Sequence, residues 1–117
     1  MAKQTKLNFI ELIKDVDEKT GELNTKVYFT PKYIPFSKLI ALTEKLEAME
    51  EKTEVEAMNE MFKVVAEDIY NGQFTVEELQ EGLHAPEAVA TLQEQIAFIS
   101  EGKLTEANEA RLKELLK

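Results

Sequence analysis

Two prolines, Pro31 and Pro35, divide the sequence into segments with different hydrophobic patterns. Before Pro31, residues 7–13 and 26–30 are rich in β-branched and aromatic residues, which favour strands. After Pro35, apolar residues recur every three or four positions, the period of an amphipathic helix. Because proline disrupts both ladders and helices, it marks the boundary between them. We therefore predict an α+β fold, mainly helical, with an N-terminal antiparallel β-hairpin over residues 6–30 followed by four to five helices.

The polar stretch 15–22, Asp-Val-Asp-Glu-Lys-Thr-Gly-Glu, joins the two predicted strands. Its composition favours a hairpin loop. The spaced acids are also similar to a calcium loop, which needs an oxygen ligand at position five, glycine at six and glutamate at twelve. Those positions hold Lys19, Thr20 and Lys26. We therefore favour the hairpin loop and expect no bound metal.

Capping residues predict where the helices begin and end. The candidate N-caps are Ser37, Thr53, Thr75 and Thr105. Thr53 and Thr75 are each followed by glutamate three residues later, the spacing of a capping box. Asn71-Gly72 and Gly102 are expected to end helices, since both tolerate left-handed backbone, and Pro86 suits a first helical turn.

With 117 residues, the chain is long enough for one ordinary core. We predict a single domain over 1–117, with 1–35 as hairpin and lead-in and 36–117 as helical body. The chain has no cysteines, which excludes disulfides and thiolate metal sites. No apolar run approaches the ~18 residues of a membrane span, and the first residues lack a signal core. We therefore expect no membrane partner and a cytoplasmic location.

The net charge of -9 is unevenly distributed. Residues 1–43 carry seven lysines and five acids, whereas residues 44–117 carry seven basic residues and eighteen acids. An acidic body repels phosphate, so we expect no binding to nucleic acid. The acids favour either a merely solvated surface or a partner with basic patches.

Motifs of catalysis are missing from the sequence. The single histidine, His84, lies in a predicted turn, and neither a nucleophile motif nor a phosphate-binding glycine loop is present. Carboxylates distant in sequence could still converge in space, although nothing singles out a pair. We predict that the protein is not an enzyme and uses no cofactor.

Apolar residues at 55–70 form a stripe wider than one neighbouring helix normally covers. Core packing is the simpler interpretation for each residue alone. Methionine also suits surfaces that accept varied apolar partners. Our hypothesis is that Met58, Met61 and Phe62, together with Ile96 and Ile99, contribute to a protein-binding surface.

The stretch 62–101 resembles the tail assembly chaperones of siphophages and related prophages of low-GC Gram-positive bacteria. The resemblance rests on Asn-Gly-Gln-Phe-Thr at 71–75, Gly-Leu at 82–83 and Ala-Pro at 85–86. Upstream, Tyr-Phe-Thr-Pro at 28–31 and Ile-Pro at 34–35 also fit the pattern. The resemblance covers about residues 26–101. Its motifs mark helix ends and turns and contain no catalytic group.

This resemblance implies a protein that helps tail assembly in the cytoplasm of the bacterial host and is absent from the finished virion. It implies the tape-measure protein as a partner, with the major tail-tube protein as a further one. It also implies that some relatives have a longer, frameshifted product. We further expect weak self-association. The alternative is another small acidic phage protein that acts by protein binding, such as an anti-repressor or a nucleic-acid mimic.

Overall fold

The computed structural model describes residues 6–116. The fold opens with two antiparallel strands, β1 (Phe9–Val16) and β2 (Leu23–Phe29). Five α-helices follow: α1 (Phe36–Ala48), α2 (Glu54–Lys63), α3 (Val76–Gly82), α4 (Ala85–Glu101) and α5 (Glu106–Leu115). A 3₁₀ turn at Met49–Glu51 follows α1, and a π-helical turn at Val64–Ile69 continues α2. The predicted α+β, mainly helical fold with an N-terminal hairpin is confirmed.

The hairpin lies within the predicted range of 6–30, and its strands extend farther toward the turn than predicted, to Val16 and from Leu23. Asp15 lies within β1, where its carboxylate accepts a hydrogen bond from Asn24 Nδ2. The turn therefore occupies residues 17–22. Asp17 Oδ1 closes it by accepting the N–H of Lys19 at 2.8 Å. The predicted loop over 15–22 was two residues too long at its start.

Helix α3 packs directly against β1. Ile10 and Leu12 on the strand are 2% and 0% exposed. A Cβ placed on Gly82, the last residue of α3, would lie 2.9 Å from Leu12 Cβ. Only glycine permits this close approach of helix and strand. The Gly82 signal in the sequence therefore reflects packing as well as helix termination.

Three of the four predicted N-caps are confirmed. The side chains of Thr53, Thr75 and Thr105 each accept the backbone N–H three residues later. The prediction for Ser37 was wrong, since α1 begins one residue earlier at Phe36. Pro35, in an extended conformation with ψ 152°, takes the N-cap position and contributes no side-chain hydrogen bond.

The core is centred on the π-helical turn and the residues that follow it. Val64, Val65 and Ala66 are each 0% exposed and Ile69 is 3% exposed, whereas Glu67 of the same turn is exposed, so one face of the turn is enclosed by the core. Asn71 and Gly72, with φ of 51° and 75°, end the helix as predicted. A buried polar network runs beside this core. Gln95 Oε1 accepts from Tyr70 Oη at 2.6 Å, and Gln95 Nε2 donates to the Phe9 carbonyl at 2.8 Å.

Candidate functional site

The five residues proposed for protein binding lie in two different environments. Phe62 and Ile96 are 8% and 9% exposed and belong to the same hydrophobic cluster. Met61 and Ile99 are half-buried against that cluster. Met58 alone is exposed, at 40%. The structure thus brings four of the five together in or beside the core, and a partner could reach Phe62 or Ile96 only if the core opened.

A different apolar surface lies along α1. Phe36, Leu39 and Ile40 line a groove of about 410 Å³, and Phe36 and Ile40 are 72% and 49% exposed. Leu42 of the same helix is buried in the core. Helix α1 therefore has one apolar face directed inward and a second directed toward solvent. An exposed apolar face of this kind marks an interaction surface more often than single exposed residues do.

Acidic side chains border this groove. The polar lining consists of Thr43, Glu44, Glu47 and Ser100, the last from α4. Lys45 on α1 is paired with Asp68, and the hydrogen bond to Asp68 raises the pKa of Lys45. Its charge is therefore compensated within the fold. The groove combines an apolar floor with the charges of Glu44 and Glu47, which form no ion pair with any residue of the described range 6–116.

A second cleft, of about 390 Å³, lies between β1, α4 and α5. Polar side chains join α5 to its walls. Arg111 Nη2 lies 3.3 Å from Glu11 Oε2, and Asn108 Nδ2 donates to Glu94 Oε2 at 3.0 Å. His84 also lines this cleft, at the N-cap position of α4, without a side-chain capping hydrogen bond.

Two other features that would indicate function, a metal cluster and a membrane-spanning helix, are absent from the described residues. Within residues 6–116, no three His, Asp or Glu side chains converge where they could hold a metal ion. No helix in that part of the chain is long and apolar enough to cross a membrane. The exposed α1 face is the surface with the clearest capacity to receive another molecule.

Sequence reasoning did not identify Phe36 and Ile40 as surface residues. The helical period predicts one apolar face on α1, formed by Leu39, Leu42, Leu46 and Met49. The signal for a second face was present, because Phe36 and Ile40 are four residues apart and bracket Leu39. A helix with apolar residues on two faces has more apolar surface than a single neighbour covers.

Comparison with known proteins assigns the chain to a family. A family model described as phage tail chaperone protein matches residues 4–115. Neither the curated proteins nor the solved structures gave a match. Since the family match spans nearly all of the 117 residues, this chain belongs to the phage tail assembly chaperone family.

Proposed function

We propose that this tail chaperone binds the tape-measure protein during tail assembly, by covering an apolar, helical segment of that client. Binding takes place in the cytoplasm of the infected bacterium, and the whole chain 1–117 acts as one domain. The major tail-tube protein is a further client class. The protein performs no catalysis and uses no cofactor in this role.

The exposed apolar face of α1 is the observation that carries the proposal. An amphipathic helix binds in a groove through apolar anchors at helical spacing. Phe36 and Ile40 supply such anchors, and they are available without any rearrangement because they are 72% and 49% exposed. A fold that places large apolar side chains in solvent loses their burial energy, which a client helix would restore.

Charge around the groove favours one kind of client helix. Glu44 and Glu47 border the apolar floor, so lysine or arginine beside the apolar stripe of the client would be attracted to them. The net charge of -9 also keeps a chaperone–client complex soluble. Like charge at the same rim would exclude strongly acidic segments.

A nucleic-acid mimic or an anti-repressor is the competing function. A mimic needs ordered acids along one face with few apolar residues among them. On α1, Glu44 and Glu47 instead flank the exposed Ile40, an arrangement that favours an apolar client. Co-purification of a repressor or a DNA-binding enzyme in place of a tail protein would support the mimic.

Co-expression with fragments of the tape-measure protein from the same phage tests the proposal. The double variant Phe36→Ser/Ile40→Ser should remain folded by circular dichroism and lose the ability to keep a fragment soluble. Leu116→Ser, a change at another exposed apolar residue, is the matched control and should retain it. Met58→Ser tests whether the client binds at the exposed surface of α2 and not at the α1 face.

The outcomes distinguish an error in the proposed binding surface from an error in the proposed client. A folded Phe36→Ser/Ile40→Ser variant that still solubilises the client would reject the α1 groove. If Met58→Ser instead abolished solubilisation, the client would bind at α2. Failure of the wild-type protein with every fragment would reject the tape-measure protein as the client.

A further inference from the structure

The two outer edges of the β-hairpin are covered to different extents. Gln95 Nε2 of α4 donates to the carbonyl of Phe9 on the outer edge of β1. Farther along β1, a Cβ placed on Gly82 would lie 3.3 Å from the carbonyl oxygen of Ile13 and 3.4 Å from its nitrogen. Helices α3 and α4 therefore cover the outer backbone groups of β1.

The pairing pattern shows which groups of β2 are directed outward. The N–H of Thr30 donates to the Asn8 carbonyl at 3.0 Å, and the N–H of Asp17 donates to the Glu22 carbonyl at 2.8 Å. In an antiparallel pair, successive residues direct their backbone groups alternately toward and away from the partner strand. Even-numbered residues of β2 therefore face β1. The outward residues are Leu23, Thr25, Val27 and Phe29.

Among residues 6–116, a neighbour occupies this outer edge only at its Phe29 end. The carbonyl of Phe29 accepts a hydrogen bond from Gln73 Nε2 at 2.8 Å, which agrees with its outward direction. Within residues 6–116, no donor or acceptor pairs with the outward backbone groups of Leu23, Thr25 or Val27. Residues 23–26 are all exposed. Such an open edge is a template for another strand.

The geometry points to a second copy of this chain as the partner of that edge. The two β2 strands pair antiparallel about Thr25, so that Leu23 lies opposite Val27 of the second copy. The hairpin tip supplies a reason for association, because Val16 and Leu23 pair with each other there and are each 54% exposed. Pairing places Val27 of the second copy beside Leu23 and joins two hairpins into a four-stranded sheet.

The three open residues of β2 select this register, because only a centre at Thr25 pairs Leu23, Thr25 and Val27 of one copy with Val27, Thr25 and Leu23 of the other. In this register Lys26 of each copy lies opposite Asn24 of the other copy and diagonal to both its Glu22 and its Lys26. Asn24 is itself hydrogen-bonded to Asp15, so each lysine approaches an acidic hairpin tip. A register centred on Lys26 would place two lysines opposite each other. A register centred on Val27 would require the Phe29 carbonyl, which Gln73 already occupies.

This association is separate from client binding at α1. It forms about six backbone hydrogen bonds between the copies, two for each of three facing residue pairs. The interface is short, so the dimer is weak and concentration-dependent. It leaves Phe36 and Ile40 accessible for a client, because neither residue belongs to the hairpin.

Thr25→Pro provides the sharpest test, since it removes an outward N–H and leaves the backbone hydrogen bonds between β1 and β2 complete. It also removes the Thr25 hydroxyl that donates to Glu11 Oε2 at 2.6 Å, so Thr25→Val, which lacks the hydroxyl and keeps the N–H, is the control and should still dimerise. Sedimentation velocity from micromolar to millimolar concentration should show a wild-type dimer and at least about tenfold weaker association in Thr25→Pro. Leu23→Lys changes only an exposed side chain and should also weaken the dimer. Leu116→Lys, the same kind of change at a distant exposed residue, should not. Melting temperature verifies that each variant is folded.

Cysteine cross-linking tests the register, because the chain has no cysteine of its own. Thr25→Cys should form a disulfide-linked dimer under mild oxidation, since facing Cα atoms in a ladder are about 5.5 Å apart. Thr20→Cys in the hairpin turn leaves the β2 edge intact and should dimerise without forming the disulfide. Wild-type protein that is monomeric at millimolar concentration would overturn the inference. Dimerisation unaffected in both folded Thr25→Pro and Leu23→Lys would also overturn it. If the wild type stays monomeric while Thr25→Pro loses client binding, the edge receives a client strand instead.

Discussion

The π-helical turn at 64–69 and helix α5 are joined to the protein by opposite kinds of contact. Val64, Val65 and Ala66 have no exposed surface, and the adjoining Tyr70 is hydrogen-bonded to Gln95 in the core. Helix α5 has no buried residue. Its attachments to the walls of the cleft are the polar contacts of Arg111 with Glu11 and of Asn108 with Glu94.

This difference indicates two levels of local stability. Segments with many buried apolar contacts open only when the whole domain unfolds, whereas segments held by exposed polar contacts open at lower free energy. A perturbation near the π-helical turn should therefore change the free energy of global unfolding. The same perturbation in α5 should mostly change the equilibrium between the docked and the locally unfolded states of that helix.

Phe74→Ala should produce the largest effect. Its ring centroid lies 4.8 Å from that of Tyr28 and 5.2 Å from that of Tyr70, and the side chain is 2% exposed. We expect a loss of about 3–5 kcal/mol in denaturant unfolding, because the substitution leaves a cavity. Phe36→Ala, with a ring that is 72% exposed, is the matched control and should stay within about 0.5 kcal/mol. Equal effects would refute the placement of the core.

Tyr70→Phe isolates the polar part of the core. It removes the hydroxyl that donates to Gln95 Oε1 and preserves the ring. We expect a loss of about 1–2 kcal/mol, since Gln95 retains its hydrogen bonds with Asn8 and Phe9. Tyr33→Phe, at a site 72% exposed, should be neutral. An unchanged denaturation midpoint for Tyr70→Phe would show that the hydrogen bond from Tyr70 to Gln95 adds nothing to stability.

Thr75→Ala and Thr105→Ala compare the same chemical change in the two regions. Both threonines accept an N–H three residues later, the first at α3 beside the core and the second at α5. Thr75→Ala should cost about 1 kcal/mol of global stability. Thr105→Ala should cost less than about 0.5 kcal/mol, because α5 opens before the domain does. Equal costs in denaturant unfolding would place α5 in the global cooperative unit.

Arg111→Ala should have the smallest effect on global stability, below about 0.5 kcal/mol, since its ion pair with Glu11 is exposed and screened. Hydrogen exchange should nevertheless become faster along α5. Amides in the π-helical turn should keep their protection. If α5 amides exchange only with global unfolding in the wild type, the proposed difference between the regions is wrong.

The sequence allowed prediction of the fold because local signals were strong and agreed with each other. Prolines 31 and 35, the threonine caps and the left-handed Asn71-Gly72 determine element boundaries through short-range chemistry. The prediction of Ser37 as an N-cap failed because α1 begins at Phe36, so Pro35 holds the N-cap position. The π-helical turn and the role of Gln95 depend on contacts between distant segments, which periodicity does not encode.

The surface was harder to predict than the fold. The apolar stripe at 55–70 contains exposed Val55 and Met58 at its start and buried Phe62 and Val65 farther along. An amphipathic pattern shows which side of a helix is apolar. It does not show how much of that side a neighbouring element covers. The same limitation concealed the exposure of Phe36 and Ile40.

The hydrogen bond between Gln95 and Phe9 also has a consequence for synthesis on the ribosome. Its two residues are 86 positions apart in the chain. At about 5–20 residues per second, the donor is made roughly 4–17 s after its acceptor. The nascent hairpin must therefore wait, with Ile10 and Leu12 uncovered, until α3 and α4 emerge. During that interval, the nascent chain exposes apolar surface of the same kind that the folded protein is proposed to cover on its client.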